Sequence, residues 1–171
     1  MDQYSMFQTL EGCFVKEVWA LTDQEQTFSL IELQYKGFVD RADQTGGSRI
    51  YFRDQALAGY LETSREHGQV IIRQETMVDK VIELFSSIEL DFESHKKFSD
   101  SYYVVTDNKE LTRKSFSYEF LNLVSNFKGL EIEIASQKCS FRMTGLMTAE
   151  KIMQLAEFGL SLADLVNKQE F

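Results

Sequence analysis

The chain has 171 residues, the usual size of one domain, and we expect residues 1–171 to form a single globular unit. Hydrophobic residues make up 43% and charged residues 26% of it, which excludes the composition of a disordered chain. The formal net charge of -9 repels phosphate backbones and anionic headgroups, so the sequence argues against a nucleic-acid-binding protein.

Cysteine usage and hydropathy indicate the compartment. Cys13 and Cys139 are the only two cysteines and lie far apart in the sequence, which fits neither a disulfide scaffold nor a thiolate zinc site. No stretch approaches the roughly 18 consecutive apolar residues of a spanning helix. Residues 1–11 lack the basic and apolar pattern of a secretory signal. We therefore expect a soluble cytoplasmic protein without an integral membrane segment.

The first half of the chain is predicted to be mainly β-structure, because β-branched and aromatic residues cluster there between turn-forming residues. Three strands are predicted from these clusters, over residues 14–21, 27–35 and 49–53. Residues 40–48, which include Gly46 and Gly47, predict a loop between the last two strands. The polar run at residues 63–68 predicts a surface loop.

Further strands are predicted in the second half, over residues 70–72, 88–93 and 102–106. The clearest hairpin lies at residues 130–143, where apolar and polar residues alternate on both sides of Ser136 and Gln137. Its apolar row is expected to face the helices and consists of Ile132, Ile134, Phe141 and Met143.

Two amphipathic helices are predicted in the C-terminal half. Asp107 precedes Glu110 by the spacing of a capping box, and apolar residues then recur at helical intervals up to Gly129. Thr148 is predicted to cap the final helix, with Glu150 in its first turn. The predicted strands come first along the chain, and the predicted helices lie mainly in its C-terminal half. This order favours an α+β fold with a mainly antiparallel sheet.

The first candidate site is an alternating row in the predicted strand at residues 88–93 and just beyond it: Glu89, Asp91, Glu93 and His95. Clustered carboxylates bind hard cations, and histidine would add a borderline ligand. However, ligands along one side of a strand lie nearly 7 Å apart, too far to converge on one ion. A solvated acidic face without a metal is therefore the favoured interpretation. If Glu131 and Glu133 lie on a neighbouring strand with the same exposed face, they would extend this acidic patch, which would attract divalent cations only loosely.

Three other features are weaker candidates. The loop with Gly46 and Gly47, followed by Arg49 and Arg53, has groups that can cradle a phosphate, but its spacing is that of neither a P-loop nor a dinucleotide fold. We interpret it as a plain hairpin loop. The apolar face of the final helix is a candidate docking surface, although packing on the chain's own core is favoured.

Cys13 and Cys139 are candidate nucleophiles with His67 or His95 as the base. Cys139 falls in the apolar phase of its predicted strand and is expected in the core. His67 lies in a Glu-His-Gly turn, where an exposed imidazole without a function is expected.

Residues 91–98, continued by residues 103–107, Phe116 and Phe120, resemble an uncharacterised bacterial family whose members are often tethered to membranes. In that family an acidic and aromatic strand precedes a segment of Phe, then Tyr or Phe, Val and Asp, and a helix. The similarity spans residues 70–165 and implies a bacterial origin, with no known reaction or site residues. Family members commonly carry hydrophobic helices ahead of this region, and no such helix precedes it here.

The sequence shows no recognisable triad, metal cluster, phosphate loop or cofactor motif, which favours a non-enzymatic binding or assembly module that uses no cofactor. Its partner is expected to be another protein or a second copy of the chain. The alternative is a small carboxylate- or metal-dependent hydrolase with carboxylates from different strands. A deep pocket with convergent polar groups would favour the enzyme, whereas a flat apolar patch would favour a partner surface.

Overall fold

The computed structural model describes residues 11–23, 26–41, 48–63, 65–74, 88–143, 148–168 and 171. The strands in these residues are β1 (Glu11–Asp23), β2 (Gln26–Arg41), β3 (Ser48–Glu62), β4 (Gln69–Gln74), β5 (Ile88–Glu89), β6 (Tyr102–Thr106), β7 (Leu130–Ala135) and β8 (Lys138–Met143). The helices are α1 (Lys96–Ser99), α2 (Lys109–Ser115), α3 (Tyr118–Ser125) and α4 (Ala149–Asn167). The strands form one antiparallel sheet in the order β1-β2-β3-β8-β7-β4-β6-β5, which confirms the predicted α+β fold.

Strands β1 to β3 form a meander, and each contains one of the three strands predicted for the first half. β2 and β3 pair without interruption over 13 residue pairs. Because β2 reaches Arg41 and β3 begins at Ser48, the strands extend into the loop predicted at residues 40–48. Gly46 and Gly47 lie outside the described residues.

The hairpin predicted at residues 130–143 is confirmed as β7 and β8, which turn at Ser136 and Gln137. Ser136 has a φ of 59°, a left-handed conformation that few residues other than glycine adopt. Its amide donates to the carbonyl of Gly68 at 2.8 Å, and its carbonyl accepts from the amide of His67 at 3.1 Å. The loop before β4 therefore holds the hairpin turn.

The single helix predicted between Asp107 and Gly129 is wrong, because the chain forms α2 and α3 there. Asp107 does not cap a helix, since its Oδ1 accepts from the amide of Gln69 at the start of β4, at 2.9 Å. Asn108 caps α2 instead and accepts from the amide of Leu111 at 3.1 Å. The contact to β4 thus moves the helix start by one residue.

The break between α2 and α3 lies at Phe116, whose φ of -84° and ψ of 105° are those of extended backbone. Ser117 then caps α3 by accepting from the amide of Phe120 at 3.0 Å. The extended residue is buried, and its ring centroid lies 4.7 Å from that of Phe120. Burial of the Phe116 ring therefore accompanies the interruption of the helix.

The predicted final helix is confirmed as α4, which Thr148 caps by accepting from the amide of Lys151 at 3.3 Å. Gly159 on its buried face lies so close to Phe28 of β2 that a Cβ at this position would lie 2.5 Å from the ring. The apolar face of α4 therefore packs closely on the chain's own sheet.

The main core lies between the helices and one face of the sheet, and the apolar row predicted for the hairpin belongs to it. Phe141 is fully buried at its centre, with ring centroids 5.8 Å from Phe28 and 5.0 Å from Phe158. Gly59 on the adjacent β3 leaves room for this ring, because a Cβ there would lie 2.1 Å from it. Phe141 thus joins three elements: β8, β2 and α4.

The opposite face of the sheet is also buried in its central strands, so Glu131 and Glu133 do not extend an exposed acidic patch. Glu131 is 1% exposed and Glu133 is 5% exposed. Apolar residues of the flanking strands are buried on this face as well: Ile31, Leu33, Ala58, Ile71 and Val105. Apolar and acidic residues alternate along β7, but both sets are inside the protein.

We expect Phe141→Ala to lower the free energy of unfolding by about 3–5 kcal/mol, because it removes a ring that contacts two others and leaves a cavity. Chemical denaturation of both proteins measures the difference. Met153→Ala is the matched control, since this side chain is 67% exposed and its loss should change stability by less than about 0.5 kcal/mol. A loss below about 1 kcal/mol for Phe141→Ala would contradict the packing described here.

Candidate functional site

The four residues of the acidic row do not share one face. β5 ends at Glu89, and beyond it Asp91 and Glu93 are exposed while His95 is buried. The side chain of Glu89 lies outside the described part of the structure. Within residues 11–171, as far as they are described, no three His, Cys, Asp or Glu side chains are grouped closely enough to hold a metal ion.

The strand ends early because the backbone near Phe92 bonds to a helix instead of a neighbouring strand. Ser99 of α1 makes two contacts there: its Oγ accepts from the Phe92 amide at 3.0 Å and donates to the Phe92 carbonyl at 3.3 Å. The amide of His95 also donates to the Phe92 carbonyl at 2.8 Å. This turn directs His95 inward and leaves Asp91 and Glu93 at the rim of a pocket of about 490 Å³.

His67 is fully buried, so the expected exposed imidazole is wrong. Its ring stacks on Phe171 at a centroid distance of 4.5 Å and lies 6.3 Å from Phe116. Neither ring nitrogen has a hydrogen-bond partner in the described structure. Burial lowers the pKa of His67 to about 4, although the nearby Glu66 carboxylate acts in the opposite direction. The imidazole is therefore neutral at physiological pH.

The buried His67 predicts loss of stability in acid. The unfolded imidazole takes up a proton near pH 6.5, whereas the folded one does so only near pH 4. The unfolded state therefore binds more protons between these values, and the free energy of unfolding falls as the pH falls, by about 3 kcal/mol for this group. Denaturation measured from pH 7 to pH 4 should show a smaller fall in His67→Phe. Identical pH profiles would contradict this assignment.

Cys139 is fully buried, as predicted, and burial raises the pKa of its thiol. A thiol with a raised pKa is a poor nucleophile at neutral pH, because the thiolate is the reactive form. This arrangement disfavours Cys139 as a catalytic residue. The side chain of Cys13, the other candidate nucleophile, lies outside the described residues, as do those of Arg49 and Arg53.

Glu131 lies in a buried ion cluster that sequence reasoning missed. Its Oε2 accepts from Nε of Arg142 at 2.6 Å, and its Oε1 lies 3.9 Å from Nε of Arg73. The three residues come from β7, β8 and β4, three adjacent strands of the sheet. A buried carboxylate needs such partners, because desolvation of an unpaired charge is strongly unfavourable.

We expect Arg142→Leu to lower the free energy of unfolding by about 3 kcal/mol, because it leaves the buried Glu131 charge without its close partner. Arg73→Leu is the matched control and should cost clearly less, since its contact with Glu131 is longer, at 3.9 Å. Chemical denaturation of both variants at pH 7 gives the comparison. An equal or larger loss of stability in Arg73→Leu would show that Arg142, the closer partner, is not the main counter-charge of Glu131.

β1 forms one end of the sheet and pairs only with β2 among the described strands. Three of its apolar side chains are substantially exposed: Val15 at 44%, Val18 at 57% and Trp19 at 39%. Val18 lies opposite Ile31 of β2, and Trp19 lies opposite Leu30, so they project from opposite faces. β1 therefore exposes apolar surface on both faces of the sheet.

A groove of about 450 Å³ continues this surface on the side of the helices. Its lining residues come from β1, β2, β3 and α4 and are Trp19, Leu30, Glu32, Gln55, Ala56, Leu57 and Ile152. Glu32 is paired with Lys16 of β1 through a contact of 2.8 Å. The groove is therefore apolar, with one charge that is already neutralised.

No protein-family model matches this chain, and no curated protein or solved structure is significantly similar to it. In the described part of the chain, no helix combines the length and the apolar character needed to cross a membrane.

Proposed function

We propose that this chain is a non-enzymatic assembly module that binds a second copy of itself through the edge strand β1. The observation that supports this proposal is the exposure of Val15, Val18 and Trp19 on both faces of one edge strand. A partner lying on one face of the sheet would cover either Val15 and Val18 or Trp19, but not all three. A strand added beside β1 would cover side chains on both faces, while its backbone would pair with the free edge of β1.

The regular half of β1 has the features that favour strand addition. From Glu17 to Asp23 it pairs with β2 without interruption, and it contains no proline. Edge strands that avoid such pairing are usually short, bulged or interrupted by proline. The register shift between Val15 and Glu17 lies at the start of this segment and leaves the remaining seven residues regular.

A second copy fits this edge because the regular segment of β1 can pair with itself. An antiparallel pair of β1 strands centred on Trp19 places the two Trp19 side chains opposite each other and each Val18 opposite Ala20 of the other copy. Because Val18 and Trp19 project from opposite faces of the sheet, this register covers apolar side chains on both faces. Such a two-fold contact closes a dimer and leaves no free β1 edge.

The net charge of -9 opposes self-association only at low ionic strength. Charges separated by more than about 8 Å are largely screened at physiological salt. The apolar contacts at β1 do not depend on this long-range repulsion. We therefore expect the dimer at physiological salt, and we propose the cytoplasm of a bacterium as its setting.

A small hydrolase remains the alternative function. Asp91 and Glu93 are two exposed carboxylates that share a pocket, and they are the residues that such an enzyme would use. The buried, neutral His67 and the buried Cys139 are poorly suited to activate a nucleophile. Assembly through β1 is better supported, because it accounts for the exposed apolar residues of that strand.

Sedimentation equilibrium over a concentration series at physiological salt tests the proposal. We expect a monomer–dimer equilibrium for the unaltered chain and a monomer for Val18→Lys, because lysine on an edge strand opposes pairing. Met153→Lys is the control: Met153 is also exposed, at 67%, but lies on α4, away from the face that carries Val18. It should still dimerise.

Two results would contradict the proposal. The unaltered chain could stay monomeric at every concentration, which would exclude a second copy as the partner. Alternatively, Met153→Lys could abolish the dimer while Val18→Lys leaves it intact, which would place the contact on the helical side.

A further inference from the structure

A pocket lies between the segment after β5 and the junction of α2 with α3. Phe92 and Phe116 form part of its wall, and their rings stack at a centroid distance of 5.9 Å with planes 18° apart. Tyr118 also lines the pocket and is 64% exposed. The pocket of about 490 Å³ therefore joins a buried aromatic wall to an exposed aromatic side chain.

Three charged side chains line the same pocket: Asp91, Glu93 and Arg113. None of them forms an ion pair or hydrogen bond with another side chain of the described residues. The pocket thus presents two negative groups and one positive group that are free to bind a ligand. Asp91 and Glu93 are exposed, whereas Phe92 between them is buried, so both carboxylates lie on the solvent side of the wall.

We propose that this pocket binds a free basic α-amino acid, such as lysine or arginine. Such a ligand has two cationic groups and one carboxylate, the complement of Asp91, Glu93 and Arg113. A guanidinium group binds a carboxylate through paired hydrogen bonds, and carboxylates bind ammonium groups through charge-assisted ones. The aliphatic chain of the ligand packs on the Phe92 and Phe116 rings.

The other side chains near the pocket fit the same ligand. The exposed ring of Tyr118 can contact a ligand cation through its face. His95 lies next to Tyr118, with ring centroids 4.9 Å apart, and is only 6% exposed. Neither of its ring nitrogens has a partner among the described residues. A polar group with unused hydrogen-bonding capacity therefore adjoins the pocket wall.

Other ligand classes fit less well. A phosphate or a dicarboxylate would be repelled by Asp91 and Glu93. A metal ion needs at least three converging ligands, and no three His, Cys, Asp or Glu side chains of the described residues are grouped closely enough to hold one. A purely apolar ligand would desolvate three charges without pairing them, which is unfavourable.

Isothermal titration calorimetry with L-lysine and L-arginine as probes tests this inference. Each probe is expected to bind with one site per chain. Three analogues each lack one recognised group and should bind at least about tenfold more weakly, the effect of losing about 1.4 kcal/mol. They are norleucine, without the side-chain ammonium, cadaverine, without the carboxylate, and Nα-acetyl-lysine, without the free α-ammonium.

Variants assign the binding to this pocket. We expect Asp91→Asn, Glu93→Gln and Arg113→Gln each to weaken lysine binding at least about tenfold. Glu157→Gln is the matched control, because Glu157 is exposed on α4 and should leave the affinity unchanged. The altered side chains are exposed, and thermal unfolding of each free variant verifies that it is folded.

Any one of four outcomes would overturn the inference. Three of them are the failure of both probes to bind at millimolar concentration, an affinity for norleucine equal to that for lysine, and unchanged binding in Asp91→Asn. Equal affinity for Nα-acetyl-lysine would also overturn it, because the pocket would then recognise a basic residue within a peptide and not the free amino acid. The outcomes do not depend on dimer formation, since Val18→Lys should bind lysine as the unaltered chain does.

Discussion

Burial of both faces of the central strands is the constraint on which the rest of this structure depends. Along β7, Ile132 lies in the core beneath the helices, and Glu131 lies equally deep on the other face. A charge in such a position is stable only with a close counter-charge, which Arg142 supplies from β8 and Arg73 supports from β4. The same register therefore pairs the charges on one face and packs the apolar side chains on the other. A shift of one residue would disrupt both sets of contacts.

An aromatic network connects the helices, the loop before β4 and the pocket. Phe116 is its central residue, with ring contacts to Phe92, Phe120, Phe171 and His67. It takes this position because the chain is extended between α2 and α3. The interruption of the helix thus serves both the core and the pocket wall. Because His67 packs in the same network and no described residue is its hydrogen-bond partner, its protonation would place an uncompensated charge next to these rings.

The two proposed binding surfaces lie where this two-sided burial ends. β1 and β5 are the two ends of the strand order, and the pocket is formed by the segment that follows β5. A second copy paired with β1 therefore leaves the pocket accessible. The two surfaces also differ in chemistry, since the edge of β1 offers backbone and apolar contacts whereas the pocket offers unpaired charges on an aromatic wall. Ligand binding and assembly can thus be measured independently.

The local pattern of the sequence determined the elements that depend on neighbours along the chain. The alternation in residues 130–143 predicted the hairpin and the apolar row that faces the helices. Thr148 and the apolar residues after it predicted α4. Both predictions succeeded because side-chain direction and helix capping are local properties. Only the tertiary structure decided the remaining features. These are the burial of Glu131 and His67, the contact that removes Asp107 from its cap position, and the place of β1 at the sheet edge. Each depends on which distant segments become neighbours: β3 pairs with β8, for example, and the turn of β7 and β8 rests on the loop before β4. A charged residue is predicted from sequence to be exposed to solvent unless its partners are known. Arg73 precedes Glu131 by 58 positions, so only the assembled sheet brings the two residues together.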